Sequence, residues 1–491
     1  MNPLLGNKSS YQFLLATMFV AVLGLSSGWA EEADPSSLER TRYLLLDARI
    51  IENVENAKLT IGKVQKSASN PLFEEDKPWE VRFDNLYANV IFDEEEGIYK
   101  CWYSPFIKDI SSKGLTVAER KEREYEAPPR EMGICYATSK DGITWVKPEM
   151  GLVEFEGSKA NNILWRGNGT NAEVGDGPHG TGIFKDLRES DPQRRYKAIL
   201  KSEILSVAFS PDGIRWGPAM TRPEADSAGD THNNAFWAPT LGKYVGITRE
   251  WGEPFGRQVA RTTSEDFLNW DKCEIVLEGM EENLQTYSMP VFFHGGIYLG
   301  LVAIHDQKSD RVWTELTWSP DTIKWHRVLP GTPLIPNEGK EGDYDWGCVY
   351  AAANPVFLEN EIRLYYGGSD GNHNVWRNGF FCLATLRPDG FCGYTQTTSS
   401  HAATIKTTSI VPGKRELQVS ADVETNGYVK ISVFDERNEL LAQSEPLKES
   451  LSDEKVIWRD GFSFDEFGEK KIQIQFEFQL ATIYSFSLVE S

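Results

Sequence analysis

The phrase Ser139-Lys-Asp-Gly-Ile-Thr-Trp145 recurs three more times along the chain in the form Ser-x-Asp-x-x-x-Trp. The other copies are Ser210-Pro-Asp-Gly-Ile-Arg-Trp216, Ser264-Glu-Asp-Phe-Leu-Asn-Trp270 and Ser319-Pro-Asp-Thr-Ile-Lys-Trp325. Each copy follows a run that alternates like a β-strand. An Asp that accepts hydrogen bonds from backbone N–H groups two residues further on makes a tight turn. The phrase therefore predicts four equivalent hairpins, each with a Trp that packs back on the strand before it.

The spacing of these copies predicts a radial array of β-sheets. They start at residues 139, 210, 264 and 319, and a shorter version, Leu386-Arg-Pro-Asp-Gly-Phe391, makes a fifth. A period of this length fits one four-stranded antiparallel sheet, and repeated sheets of this kind are arranged around an axis. We therefore expect an all-β chain that begins with a five-bladed β-propeller.

The chain divides into three predicted parts. Residues 1–30 resemble a secretory signal peptide, with an apolar run from Phe13 to Leu25 and small residues at Gly28 and Ala30. Residues 31–395 make the propeller, and its last blade is completed by the alternating segment between Tyr43 and Val64. Residues 396–491 begin with a Thr/Ser-rich linker and continue as about five short alternating strands, which predicts a C-terminal β-sandwich.

Composition limits the partners and the location. A net charge of -22 disfavours nucleic acid and anionic membranes as partners and is compatible with a carbohydrate. The signal peptide predicts a secreted or periplasmic protein, and the sequence does not define its oligomeric state. The cysteines match no zinc pattern. Either Cys101–Cys135 and Cys382–Cys392 form disulfides, or all the thiols are buried and unpaired.

The predicted fold directs attention to five short stretches. The innermost strands of a propeller all run the same way, so the residues that precede them converge at one mouth of the axial channel. These stretches are Arg82–Asn85, Asp176–His179, Asp230–Asn234, Gln285–Ser288 and Asp343–Trp346. Carboxylates crowded into one mouth repel each other, which raises the pKa of at least one of them. A protonated and an ionised carboxyl group together can hydrolyse an acetal.

The repeated turns, the five repeats and the C-terminal strands resemble the five-bladed glycoside hydrolases of families 32 and 43. The phrases Tyr136-Ala-Thr-Ser-Lys-Asp-Gly-Ile-Thr-Trp145 and Asn161-Asn-Ile163 resemble exported planctomycete proteins related to family 32. The chain departs from family 32 at the Glu-Cys-Pro signature, where it has Ser288-Met-Pro290 and no acid. The Asn-Asp-Pro-Asn-Gly and Arg-Asp-Pro signatures are absent too.

The resemblance implies roles for individual residues. Asp84 would be the base or nucleophile, and Asp230, with Asp186 as its rival, the orienting or charge-stabilising group. The missing general acid would be replaced by Asp345 or, after it, Glu250. The remaining candidates would bind substrate: His179, His232, Arg257, Tyr287 and Trp346. The aspartates of the repeated turns we assign to structure.

These residues predict an exported glycoside hydrolase that acts on poly- or oligosaccharides. Two alternatives stay open. One is a glycan-binding propeller that has lost catalysis, which the missing Glu-Cys-Pro phrase favours. The other is a glycoside phosphorylase, for which Arg249, Arg257 and His232 would cradle phosphate. We find no cofactor motif and predict no metal ligands, although the resemblance allows a Ca²⁺ ion in the axial channel.

Overall fold

The structure is a computed structural model that describes residues 41–83, 85–109, 119, 130–167 and 177–490. The predicted signal peptide and Asp84 lie outside these residues. The described chain is built mainly of β-strands, with three-residue 3-10 turns at Ala48–Ile50, Pro192–Arg194, Pro223–Ala225, Arg459–Gly461 and Phe464–Glu466. No helix in the described residues has the length and hydropathy needed to cross a membrane. The predicted all-β class is confirmed.

The first strands are short and come before the repeats. They are β1 (Arg42–Leu44), β2 (Ile51–Glu55), β3 (Ala57–Ile61), β4 (Gln65–Lys66) and β5 (Phe73–Glu74). The next group, which we call unit 1, pairs in the order β10-β9-β7-β6, with β8 and β11 also on β9. Its strands are β6 (Asn89–Asp93), β7 (Ile98–Tyr103), β8 (Phe106–Asp109), β9 (Arg130–Ser139), β10 (Trp145–Val146) and β11 (Ile163–Arg166).

Units 2 and 3 are four-stranded antiparallel sheets whose strands pair in chain order. Unit 2 contains β12 (His179–Lys185), β13 (Tyr196–Lys201), β14 (Leu205–Ser210) and β15 (Met220–Thr221). Unit 3 contains β16 (Asn234–Ala238), β17 (Lys243–Gly252), β18 (Gly256–Ser264) and β19 (Glu274–Leu277).

Units 4 and 5 are antiparallel as well, and one parallel pair, Val312 with Cys348, joins them into a larger sheet. Unit 4 contains β20 (Leu284–Ser288), β21 (Val291–His294), β22 (Ile297–Asp306), β23 (Arg311–Ser319) and β24 (His326–Arg327). Unit 5 contains β25 (Cys348–Ala351), β26 (Val356–Phe357), β27 (Ile362–Ser369) and β28 (Gly379–Leu386).

The five units contact one another in chain order, and the last contacts the first. Hydrogen bonds join each neighbouring pair: Ile183 N to Asn89 Oδ1 (2.8 Å), Asn233 N to Gly180 O (2.9 Å), Val291 N to Asn234 Oδ1 (3.0 Å), Val312 N to Gly347 O (3.1 Å) and Ala353 N to Ala88 O (2.9 Å). The apolar core is accordingly divided into clusters that lie within and between neighbouring units.

The repeated phrase forms the predicted turn in all four copies. In the first, Asp141 Oδ1 accepts from the backbone N–H of Ile143 at 2.8 Å and of Thr144 at 2.7 Å. The Ser139 hydroxyl accepts from Gly142 N at 2.8 Å. These bonds, led by the one from Thr144, hold the pKa of Asp141 well below its usual range. The other copies repeat the carboxylate contacts at Asp212, Asp266 and Asp321.

The shortened fifth phrase has a different function. Asp389 is buried and accepts hydrogen bonds from Ser485 (2.5 Å), His294 (2.7 Å) and Arg42. Burial alone would raise the pKa of Asp389, but these partners lower it to about 2. Asp389 therefore ties unit 4 to the first and last strands of the described chain.

The C-terminal strands and the first three strands share one nine-stranded sheet. Its remaining strands are β29 (Cys392–Gln396), β30 (Ala403–Thr407), β31 (Arg415–Asp435), β32 (Leu440–Gln443), β33 (Leu451–Lys455) and β34 (Ile472–Glu490). The sequence predicted about five short strands in this region. Instead, β31 and β34 each continue as one long strand, and irregularities in their pairing take up the polar stretch between Val423 and Tyr428.

The expected role of the segment from Tyr43 to Val64 was wrong. Strands β1, β2 and β3 pair with β34, β30 and β29, so they belong to the C-terminal sheet. The physical reason is that Leu45 and Ile50 are buried in the core of that sheet. The outer edge of unit 5 is formed by β4 and β5, which pair with β28. All six cysteines are buried and free, so the unpaired alternative holds.

Candidate functional site

Side chains from four units meet where the innermost strands begin. His179 is the first residue of β12, Asp230 precedes β16, and Tyr287 lies near the end of β20. The Nδ2 of Asn85, which precedes β6, donates to the Tyr287 hydroxyl at 3.2 Å. We call this group the mouth cluster; its members are Asn85, Tyr87, His179, Asp230, His232, Arg249, Arg257 and Tyr287.

Asp230 is surrounded by positive charge. Its carboxylate is 2.5 Å from Arg249 Nη2, 3.0 Å from His179 Nε2 and 3.6 Å from Lys201 Nζ. Burial alone would raise the pKa of Asp230, but the hydrogen bond from His179 and the charges of Arg249 and Lys201 hold it far below its usual range. Asp230 is therefore ionised at neutral pH and cannot donate a proton to a leaving group.

His232 lies behind Asp230 and is almost fully buried. Its ring centroid is 5.1 Å from that of Tyr87. Burial, together with the charge of nearby His179, lowers the pKa of His232 to about 3. The Nε2 atom of His232 has no hydrogen-bond partner within the described chain. His232 is therefore a neutral ring that packs within the cluster, with one nitrogen that has no hydrogen-bond partner among the described residues.

Arg249 and Arg257 flank Tyr287. Their guanidinium carbons are 5.2 Å and 5.0 Å from the Tyr287 ring centroid. The same two groups are 5.7 Å and 4.9 Å from the ring of Trp251, which is 60% exposed. Trp251 is opposite Arg257 in the β17–β18 pair, so both side chains lie on the same face of the sheet. This part of the cluster offers an exposed aromatic ring beside two cations.

Glu250 lies on the other face of the same strand. Successive side chains of a strand alternate, so Glu250 points away from Arg249 and Trp251. Its carboxyl group interacts with Ser227 and Asp226, and it feels the charges of Arg249 and Lys272. Burial, with a smaller contribution from the charge of Asp226, raises the pKa of Glu250. Glu250 thus has the raised pKa that a general acid needs, but its side chain points away from the mouth cluster.

Asp345 is held in a separate ion pair. Its carboxylate is 2.5 Å from Lys66 Nζ and accepts from the Tyr366 hydroxyl at 2.8 Å. Both Asp345 and Lys66 are buried, and none of these partners belongs to the mouth cluster. Trp346, the next residue, packs under the guanidinium of Arg311 at 4.8 Å. Asp345 therefore anchors the loop before β25 to β4 at the edge of unit 5.

The remaining predicted carboxylates are placed as follows. Asp84 lies outside the described residues, although its neighbours Phe83 and Asn85 are both buried. Asp186 follows β12 at the end opposite His179 and forms an ion pair with Lys197 at 2.8 Å. It also accepts from the Tyr244 hydroxyl at 2.6 Å. Asp186 is thus part of the framework of unit 2, remote from the start of its inner strand.

Sequence reasoning missed Glu75. Its carboxyl oxygen accepts from the backbone N–H of Phe83 at 2.6 Å and of Gly379 at 3.0 Å. Burial raises the pKa of Glu75 to about 8 in spite of these bonds and the charge of Arg82. A carboxyl group that keeps its proton at neutral pH beside Phe83 is a candidate acid. No local signal identifies it, because Glu75 follows the outer strand β5 and its partner Gly379 is 304 residues away.

We find no group of three or more His, Cys, Asp or Glu side chains arranged to hold a metal ion in the described part of the chain. The vacant polar atoms of the mouth cluster belong to arginines and a histidine: Arg249 Nη1, Arg257 Nε and His232 Nε2. Guanidinium N–H groups are donors only, so the cluster is suited to anionic or carbonyl oxygens.

No protein-family model matches the chain, and the curated proteins give no match. Solved structures align with it at low identity. A glycosyl hydrolase from Bacteroides ovatus is 14% identical, covering 66% of this chain and 94% of that chain, with a TM-score of 0.46. An N-acetylgalactosamine deacetylase from F. plautii, bound to blood group B trisaccharide, is 15% identical, covering 69% and 97%, with a TM-score of 0.44. The α-L-arabinofuranosidase from Podospora anserina, bound to cellotriose, is 12% identical, covering 66% and 97%, with a TM-score of 0.43.

Proposed function

We propose that the protein is an exported glycoside hydrolase built as a five-bladed β-propeller with a C-terminal β-sandwich. The cyclic order of contacts among the five units supports the propeller. The mouth cluster lies where the inner strands begin, and four of the five units contribute side chains to it. Poly- or oligosaccharides are the substrates, and the exposed ring of Trp251 supplies a surface on which a sugar can stack.

The observation that carries the proposal is the ionised carboxylate of Asp230. Cleavage of a glycosidic bond passes through an oxocarbenium-like transition state, which a fixed negative charge stabilises. Asp230 remains ionised because Arg249 and His179 bind both of its oxygens. It therefore acts as the orienting or charge-stabilising group. Asp84, one residue before Asn85 of the mouth cluster, is the proposed base or nucleophile.

The general acid must keep its proton at neutral pH. Glu75, with a pKa of about 8, meets this requirement and bonds to Phe83, the residue before Asp84. Glu250 also has a raised pKa but lies on the far face of β17. Asp345 is committed to Lys66 and Tyr366. We therefore add Glu75 to the candidate acids and place it before Glu250 and Asp345.

Phosphorolysis remains a second candidate, because Arg249, Arg257 and His232 lie together as that reaction needs. His232 is neutral, however, so only the two arginines supply charge. The two reactions differ in their products: a hydrolase releases free reducing sugar without phosphate, whereas a phosphorylase releases a sugar 1-phosphate only when phosphate is present.

The test replaces Asp230 by Asn and measures release of reducing sugar from a panel of polysaccharides, with and without phosphate. We expect the D230N variant to lose about 10²-fold or more in kcat/KM, the scale of a lost charge-stabilising group. The control is D226N, because Asp226 is exposed, forms an ion pair with exposed Lys272 and lies four residues earlier. Unchanged hydrolysis by D230N on every polysaccharide cleaved by the wild type would contradict the proposal.

A further inference from the structure

The hairpin of β17 and β18 extends beyond the inner strand of its own unit. Asn234, the first residue of β16, pairs with Ile247, so the following residues of β17 pair only with β18. Arg249, Trp251 and Arg257 lie on this extension, on the face that contacts Tyr287. The hairpin thus projects past the edge of the sheet and carries its two cations and its exposed ring over the mouth.

Within the described residues, both arginines have buried N–H groups without a hydrogen-bond partner. Arg249 is 5% exposed, and its Nη1 has no partner, although its Nη2 donates to Asp230. Arg257 donates from Nη1 to Gln285 at 2.7 Å and leaves its Nε without a partner. A buried donor without a partner costs about 1–3 kcal/mol. Two such donors on neighbouring guanidinium groups indicate that a ligand completes them.

The local charge favours an anion. Three cationic side chains face this part of the mouth cluster: Lys201 from β13, Arg249 from β17 and Arg257 from β18. The carboxylate of Asp230 faces them from the segment before β16 and is bound by Arg249 and His179. It offsets one of the cations, so a positive charge remains uncompensated among these groups. An anionic ligand group would neutralise it.

We propose that the protein recognises a sugar carrying an anionic group, a carboxylate or a sulfate, at Arg249 and Arg257. Arginine matches both groups geometrically, because its forked N–H donors bind paired oxygens. Trp251 stacks against the sugar ring to which the anionic group is attached. Free phosphate would use the arginines but would leave the exposed Trp251 ring without a contact. The inference rests on the proposed glycan-processing function and names its substrate class.

The net charge of -22 does not prevent this recognition. At physiological ionic strength the Debye length is about 8 Å, so distant acidic residues are screened from a bound glycan. The pairs formed by Arg249 and Arg257 are partly or wholly buried and are screened much less. Repulsion by the whole protein should therefore slow association at low salt but leave the contact intact at about 0.15 M.

The experiment measures binding by the full-length protein in affinity gels and by titration of tryptophan fluorescence. The probes are polygalacturonate, alginate, glucuronoxylan and a sulfated galactan, each compared with its carboxyl-reduced or desulfated form.

We expect one charged polymer to bind about tenfold or more tightly than its neutralised form. R257Q should remove most of this preference, so that the charged and neutral forms bind the variant equally within about twofold. W251A should weaken both. R188Q is the matched control, because Arg188 stacks on Trp237 at 4.2 Å in unit 3, away from the mouth cluster.

Equal binding of charged and neutral forms, or no binding to any charged polymer, would overturn the inference. So would a charge preference that survives both R257Q and R249Q. Fluorescence changes that depend on Arg257 but occur only with inorganic phosphate would assign the arginines to free phosphate instead. The carboxylate and sulfate sources are separated by which polymer shows the preference. Binding without hydrolysis would refute the hydrolase proposal alone, and hydrolysis of charged and neutral glycans that is equally fast and unaffected by R257Q would refute this inference alone.

Discussion

Disrupting the buried ion pair of Asp345 and Lys66 tests whether Asp345 has a structural or a catalytic role. The Asp345 side chain is 2% exposed and that of Lys66 is 7% exposed. In addition to Asp345, the Lys66 ammonium has the Pro336 carbonyl oxygen at 2.6 Å and the exposed Glu338 carboxylate at 3.7 Å. The D345N variant keeps the shape of the side chain and its contact with Tyr366, but it removes the buried charge closest to Lys66 and leaves the exposed Glu338 at 3.7 Å. We expect this variant to be destabilised.

The size of the effect follows from the burial of the pair. Removing one partner of a buried ion pair costs about 3–5 kcal/mol, because the other charge is left uncompensated. Unfolding entropy is about 2 cal/mol/K per residue, so for a cooperative unit the size of the five units this is a fall of roughly 5 °C in Tm. Activity measured well below the transition should change little, since Asp345 does not contact the mouth cluster.

Differential scanning calorimetry and activity assays on the same preparation check both parts. D343N is the control, because Asp343 is two residues away on a more exposed loop and accepts only a local hydrogen bond from Lys340 N. The D345N/K66M double variant should lose less stability than the sum of the two single variants. An unchanged Tm combined with a loss of activity of about 10²-fold or more would refute this reasoning and restore Asp345 as the general acid.

Two further predictions concern a turn and a buried acid. In D212A the N–H groups of Ile214 and Arg215 lose their acceptor, so we expect the unfolding free energy to fall by about 1–3 kcal/mol. D212N keeps an acceptor oxygen and should lose less than about 1 kcal/mol. Equal losses for the two variants in urea unfolding would contradict the assignment of Asp212 to the turn. The pKa of Glu75 is raised to about 8 in the folded protein from an ordinary value of 4.5, so the folded state holds this proton more tightly and stability should fall as the pH rises between these values. E75Q should remove that dependence and be more stable than the wild type at pH 8 by roughly 4 kcal/mol. Parallel stability curves for the two proteins would exclude the raised pKa.

The sequence predicts those parts of the fold that depend on contacts between residues close together in the chain. The turn of Asp141 is closed by residues two and three positions away, so seven letters are enough to identify it. The role of the segment from Tyr43 to Val64 could not be obtained in this way. Alternation predicts a strand and its buried face, but it does not say which sheet supplies the partner. Leu45 and Ile50 fit either sheet by pattern, and only the shape of the two cores decides between them.

The same limit applies to the candidate site. The rule that residues before inner strands converge led to His179, Asp230, His232 and Tyr287, and the structure brings these four together. The rule also selected Asp345, whose partner Lys66 is 279 residues away and invisible to local inspection. The face occupied by Glu250 depends on strand register alone.

The pairing of β1 with β34 has a mechanical consequence. Arg42 is opposite Ser487 and Leu44 is opposite Ser485, so β1 begins on the side of the pair where β34 ends. A pulling force applied to both ends would peel this pair apart one hydrogen bond at a time, whereas a shearing geometry would load all of its bonds at once. The β1–β34 pair is therefore weak against tension, and a stretched molecule should begin to unfold there.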